Sequence, residues 1–301
     1  MHRIDLKLGF ACNNHCAFCV QGNKREEHGP RNAEQIEEDL KVGRQQGATE
    51  LVLTGGEPTV HKNLLSVISL GRKLGYTNIQ IQSNGRRFFY EDFCRAAIAA
   101  GATEFSPALH GSTAEVHEKL TEAPGSYEQV VTGIENLVRL GQPVVTNTVI
   151  TTANYEQLPD LARLLVKLGV VQYQFAFVHI LGSAQKNQQW LVPRKSDIMP
   201  YVREGLDVGR AAGVRCMTEA IPFCLMEGYE EHVAEQIIPK TLIYDADHTI
   251  DDYGQYRMDQ GKVRGPPCEG CAYLDRCEGP WREYPELFGW DEFKPRDSVA
   301  E

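Results

Sequence analysis

From its fourth residue the chain repeats one pattern six times: a short apolar or alternating run, then a longer helical run. "IDLKLGF", "ELVLTGG", "NIQIQSNG", "TEFSPALHG", "PVVTNTVITT" and "VVQYQFAFVHI" read as strands, by alternation or by β-branched content. Between and after them, "AEQIEEDLKVGRQQG", "NLLSVISLGRKLG", "YEDFCRAAIAAG", "SYEQVVTGIENLVRLG", "YEQLPDLARLLVKLG" and "KSDIMPYVREGLDVGRAAG" read as helices. Glycines such as Gly47 and Gly75 stop them. Pro159 marks where the fifth becomes regular, and Pro200 is expected to disturb the first turns of the sixth. Alternation of this kind requires a parallel sheet covered by helices. A doubly wound sheet and a barrel-like sheet both satisfy it. In either, the loops at the carboxyl ends of the strands build the site.

The pattern ends near residue 215, which divides the chain into 1–215 and 216–301. The second part opens towards "KTLIYDADHTIDDYGQYRMDQGK", which alternates around Asp and Gly like a β-hairpin. "GPPCEGCAYLDRCEGPWREY" follows, rich in Cys, Gly and Pro, and reads as a small module organised around metal. The closing "WREYPELFGWDEF" is expected to cover that module.

Composition removes several function classes. The 301 residues are 42% hydrophobic and 24% charged, an ordinary globular balance. No apolar run is long enough to span a membrane, and no signal-like core opens the chain, so a cytoplasmic protein is expected. A net charge of -10 argues against a nucleic-acid partner, which needs a basic stripe. The two local basic runs, "NKR" ending at Arg25 and "GRR" ending at Arg87, read as solvated loop charge. Nine cysteines are many for a reducing compartment, where clustered thiols point to metal rather than disulfides.

Three of them, Cys12, Cys16 and Cys19 in "ACNNHCAFC", directly follow the first strand. Three thiolates do not close a tetrahedral site. Zinc completed by His15 is one solution. An iron–sulfur cubane is the other and the favoured one, because His15 adjoins Cys16 and is constrained in reaching the same ion. A cubane on three cysteines keeps one iron open to a small molecule.

With this loop the chain resembles the radical S-adenosylmethionine (SAM) superfamily. The resemblance implies a partial (β/α)6 barrel and a [4Fe-4S] cluster on Cys12, Cys16 and Cys19, with SAM on the open iron. It also implies reductive cleavage of SAM to a 5'-deoxyadenosyl radical that abstracts hydrogen from substrate. Phe18 matches the family's aromatic residue beside the adenine. "TGGEP" matches its Gly-Gly-Glu-Pro turn, which assigns Gly55, Gly56 and Glu57 to the SAM amino group. "QSNG" places Ser83 and Asn84 against the SAM carboxylate or ribose, and "TNTVITTAN" places Asn147 against the ribose. "PALHGST" departs from the family pattern, with Ala108 where a serine is common. His110 in that segment is expected to make a turn hydrogen bond. These motifs run from about residue 5 to residue 184 in the family's order.

The remaining cluster, Cys268, Cys271 and Cys277 with Cys224 upstream, resembles the twitch extension, the shorter relative of the SPASM domain. That implies a second, auxiliary [4Fe-4S] cluster assisting electron transfer or substrate binding. A structural zinc site fits the same four thiolates, and Cys216 is the alternative to Cys224. The expected partners are a small-molecule or peptide substrate and a reductant such as flavodoxin or ferredoxin. A non-catalytic iron–sulfur or zinc protein, carrier or sensor, is the competing function. No acid or base stands at an offset that identifies it.

Overall fold

The computed structural model describes residues 3–299. Its strands are β1 (Arg3–Lys7), β2 (Glu50–Thr54), β3 (Asn78–Ser83), β4 (Glu104–Pro107), β5 (Val145–Ile150), β6 (Gln172–Phe177), β7 (Arg215–Glu219), β8 (Thr241–Tyr244) and β9 (Thr249–Ile250). They form one sheet in the order β4-β3-β2-β1-β8-β9 and another in the order β5-β6-β7. Parallel bridges Phe105–Val144 and Ala108–Asn147 join β4 to β5. The result is a curved, almost wholly parallel wall that does not close. It is the partial α/β barrel, with only the β8–β9 pair antiparallel.

Alternation decides which side chains face which layer. In β1, Ile4 and Leu6 are buried, while Arg3, Asp5 and Lys7 lie on the opposite face. Leu51, Leu53, Ile79, Ile81 and Phe105 continue the apolar layer and are fully buried. Each such side chain contributes about 1.5–3 kcal/mol. The helices that cover them begin and end as the sequence dictates. Asn32 and Gln35 form a reciprocal capping box ahead of Ala33–Gln45. Gly75, Gly101, Gly169 and Gly213 close four helices in the left-handed conformation.

Three features differ from the sequence expectation. Residue 215 opens a seventh barrel strand, β7, which pairs with β6. Its sequence, RCMTE, is too short and polar to announce itself. The expected hairpin is reduced to β8 and β9, and β8 adds in parallel to β1, extending the main sheet. Its second half turns helical at Tyr253–Tyr256, capped by Asp252. Finally, the helix Lys195–Ala212 runs through Pro200. The proline lies in its second turn, near the end where few backbone hydrogen bonds are lost.

Candidate active site

The loop carrying Cys12, Cys16 and Cys19 leaves β1 and is held from four sides. Beneath it lies the Gly55–Glu57 turn at the end of β2. Gly56 N donates to Gly9 O at 2.9 Å, and Glu57 N donates to Ala11 O at 2.8 Å. A Cβ at Gly55 would lie 2.2 Å from the Gly9 oxygen, and one at Gly56 2.2 Å from the Phe10 oxygen. Only glycine permits two backbones to approach this closely.

Glu57 is the node of the second contact. Its buried carboxylate accepts from Thr59 N, Thr59 Oγ1, Ser83 Oγ and Asn84 N at 2.5–2.9 Å. Burial pushes this carboxyl up from its ordinary value, and the four donors oppose that. The side chain thus ties the ends of β2 and β3 together. Asn84 reaches back from β3 to the cysteine loop, donating to Asn13 Oδ1 at 2.6 Å and lying 3.8 Å from Cys12 Sγ.

On the third side, two arginines from the basic runs grip the loop. Arg86 donates to Asn13 O and Asn14 Oδ1, and Arg25 donates to Asn14 O at 2.7 Å. These residues were read in sequence as solvated charge. The structure corrects that: each guanidinium satisfies loop oxygens that no secondary structure pairs. The fourth side is the turn after β6. Ser183 N donates to Cys19 O at 2.8 Å, and Asn187 Nδ2 donates to Ala17 O at 2.9 Å. A Cβ at Gly182 would lie 2.6 Å from Cys19 O. Arg25, Arg86, Gly182 and Asn187 carry no local sequence signal, because their partners lie far along the chain.

Phe18 is buried with its ring edge-on to His110, centroids 4.6 Å apart. His110 is structural, as expected: its ring Nδ1 accepts from Val149 N, and its backbone N–H donates to His117 Nδ1. Burial holds its pKa well below the usual range, so the ring is neutral. Asn147 lines the barrel cavity, and its Oδ1 is buried without a hydrogen-bond partner. His15 is exposed.

The second set converges as well. Cys224, Cys268, Cys271 and Cys277 line one cavity, walled by Phe223, Tyr273, Leu274 and Phe293. Gly279 N points at Cys277 Sγ and Arg296 N at Cys271 Sγ, both at 3.4 Å. Cys216 lies elsewhere, with its thiol on Leu206 O at 3.4 Å and beside His232. Burial pushes Cys224 up to about 12 and holds Cys16 far above its ordinary value, with the neighbouring cysteines adding to it. Thiols buried together ionise only against a positive centre, so both donor sets fit a metal cluster.

Comparison with known proteins agrees with this geometry. A family model described as "Radical SAM superfamily" matches residues 6–165, more than half of the chain. A probable GTP 3',8-cyclase of Saccharolobus solfataricus is 28% identical over 180 residues, 60% of this chain and 58% of the relative. The chain therefore spans less than two thirds of that relative's length. A similar protein of Sulfurisphaera tokodaii is 25% identical over 180 residues, 60% of this chain and 56% of the relative. Among solved structures, Streptococcus suis SuiB bound to S-adenosylmethionine superposes with a TM-score of 0.67 at 16% identity, covering 99% of this chain and 77% of that one. The enzyme anSMEcpe with bound AdoMet gives 0.67 at 12% identity, covering 99% and 93%. Both likenesses establish the fold. The chain belongs to the Radical SAM superfamily and is an enzyme of that family, whose members use a [4Fe-4S] cluster and SAM.

Proposed function

We propose that this enzyme holds its SAM-binding [4Fe-4S] cluster on Cys12, Cys16 and Cys19 and acts on a small-molecule or peptide substrate inside the barrel. We further propose a second [4Fe-4S] cluster on Cys224, Cys268, Cys271 and Cys277 that assists electron transfer or substrate binding. When bound, the first cluster supplies the electron that cleaves SAM, and the adenosyl fragment then takes hydrogen from the substrate. The single observation carrying this reading is the bonding of the cysteine loop, the Gly55–Glu57 turn and the Ser83–Asn84 turn into one body at the carboxyl ends of β1–β3.

In this reading Gly55 and Gly56 present their carbonyls to the SAM ammonium. Glu57 and Ser83 fix that turn, and Asn84 orients the loop beside Cys12. Phe18 offers an apolar face to the adenine. Asn147 supplies the unpaired Oδ1 to the ribose. The chain's task is to bind, orient and keep water away from the reacting carbon.

At the first set, exposed His15 is poorly placed to complete a zinc site. Residues 1–215 are proposed as the SAM part and 216–301 as the auxiliary part, with β7 and β8 of the latter built into the barrel wall.

The test is anaerobic reconstitution followed by reduction with dithionite in the presence of SAM. Formation of 5'-deoxyadenosine by the wild type, and none by the Cys12→Ala/Cys16→Ala/Cys19→Ala variant, is expected. A fully reconstituted wild type that forms no 5'-deoxyadenosine would remove the catalytic reading.

A further inference from the structure

The chain leaves β7 through Ala220, which is buried and has a φ of 59°. A residue with a Cβ enters this left-handed region only when its surroundings force it there. Both backbone groups of Ala220 are bound by buried charged side chains. Its N–H donates to Glu235 Oε1 at 2.7 Å, and its carbonyl accepts from Lys195 Nζ at 2.8 Å. Lys195 is fully buried at the start of the helix Lys195–Ala212. Its ammonium rests on the faces of Phe177 and Tyr284, 3.1 and 4.8 Å from the ring centroids, and forms no ion pair among the described residues. A buried ammonium without a paired carboxylate is costly. A strained backbone and a costly charge thus meet at one peptide, and such features persist where they serve a site.

Glu235 extends the clamp. Its side chain is 5% exposed, and the oxygen that holds Ala220 also accepts from Lys262 Nζ at 3.3 Å. The Lys262 side chain is wholly buried, with its ammonium 4.1 Å from the Trp281 ring centroid and 3.5 Å from Gly279 O. An antiparallel bridge joins Lys262 to Trp281, and Val263 N donates to Pro280 O at 3.1 Å. The segments tied here are the ones that carry the second cysteine set. Ala220 leads into Cys224, and Lys262 leads towards Cys268. Gly279 follows Cys277 and turns its N–H onto that sulfur at 3.4 Å. These segments are far apart in sequence, and the clamp is where they meet. Lys195, Glu235 and Lys262 stand behind the lining of the second cavity rather than in it, so they can hold the thiols without being ligands.

We infer that Lys195, Glu235 and Lys262 are positioning residues for the second cysteine set: through Ala220 and Gly279 they aim Cys224, Cys268 and Cys277 at one metal centre. This rests on the proposed reading that these thiols hold metal. Lys195 fixes the carbonyl of Ala220 and Glu235 its N–H, so that peptide cannot rotate and the chain is directed to Cys224. The buried Glu235–Lys262 pair ties the same point to the segments flanking Cys268 and Cys277. Removing either partner leaves the other charge buried and unpaired. Thiols on separate segments bind metal tightly only when a supporting layer sets their geometry beforehand.

Cadmium titration of the anaerobic full-length chain tests this, because thiolate-to-cadmium charge-transfer absorbance reports thiol geometry whether or not the site takes iron. The parent carries Cys12→Ala/Cys16→Ala/Cys19→Ala, so that only the second set answers. Adding Lys195→Met should weaken cadmium binding by about tenfold or more. The same change should leave the urea midpoint equal or higher, since an apolar chain of similar length replaces a costly buried charge. Glu235→Ala should weaken binding too, and Glu235→Gln, which keeps an oxygen for Ala220 N, should fall between. If Glu235→Ala does not fold, Lys195→Met decides alone. Parent-like affinity in Lys195→Met, affinity lost only in step with urea stability, or no cadmium binding by the parent would overturn the inference. Iron in the otherwise unaltered chain reports separately on the proposed cluster, so the two readings fail independently.

Discussion

Two arginines and one aspartate do more at this site than their sequence positions announce. Arg86 joins the end of β3 to the cysteine loop and to Gln129 Oε1, 2.6 Å away. Arg86→Ala should leave the barrel folded, since the residue lies on its rim. It should loosen the loop by the loss of charge-assisted bonds of about 1.5–3 kcal/mol each. The expected outcome is faster bleaching of the first cluster and a raised SAM KM, read by absorbance decay and by initial rates. Asp245 is buried between Lys7, at 2.5 Å, and Lys24, at 2.8 Å. Burial works against its charge, but the two ammonium groups override it and hold the carboxyl well below the usual range. A depressed folded pKa contributes stability above the unfolded value of about 3.9 that is lost as pH falls through the folded value. Asp245→Asn should therefore cost about 1–3 kcal/mol at neutral pH in urea unfolding, since the lysines keep some solvent. The gap should narrow only below about pH 4. None of these three roles was legible. A lone Arg beside an Asn-Gly turn, or an Asp in a turn, looks the same whether its partner is water or a residue far along the chain. The cysteine sets stand out in sequence because their local spacing is the kind metal ligands adopt.

At the level of elements, the six βα units were readable because their helices are long and glycine-stopped. β7 was not, since a five-residue strand carries too little pattern to distinguish from loop, and β8 was read as an arm of a hairpin but not as a partner of β1. Their pairing also relocates the cysteines. β7 ends at Glu219, and the chain reaches Cys224 five residues later, on the wall of the second cavity. Cys216 lies inside β7, buried behind the sheet near Tyr173. Sequence left these two cysteines as alternatives, since only the pairing of β7 separates them. Cys224→Ala should lower iron content by up to about four atoms per chain, whereas Cys216→Ala should leave it unchanged and cost only packing. Iron analysis of the two reconstituted variants checks this. Of the aromatic tail, Phe293 lines the second cavity, whereas Trp281 and Tyr284 are buried against the end of β6, on His179 and Phe177.

For the whole molecule, two cysteine sets are held by one curved sheet with a polar chamber along its inner face. The sheet stays open at β7 and β9, and the auxiliary part is continuous with it through β8 and β1. The two proposed clusters would therefore share one framework. The central claim is that both cysteine sets hold iron, independently. Its most direct measurement is iron and sulfide per chain after anaerobic reconstitution, in wild type and in Cys12→Ala/Cys16→Ala/Cys19→Ala. About eight irons in the wild type and about four in the variant are expected. About four in the wild type and none in the variant would contradict the auxiliary cluster, and stoichiometric zinc without iron would contradict both.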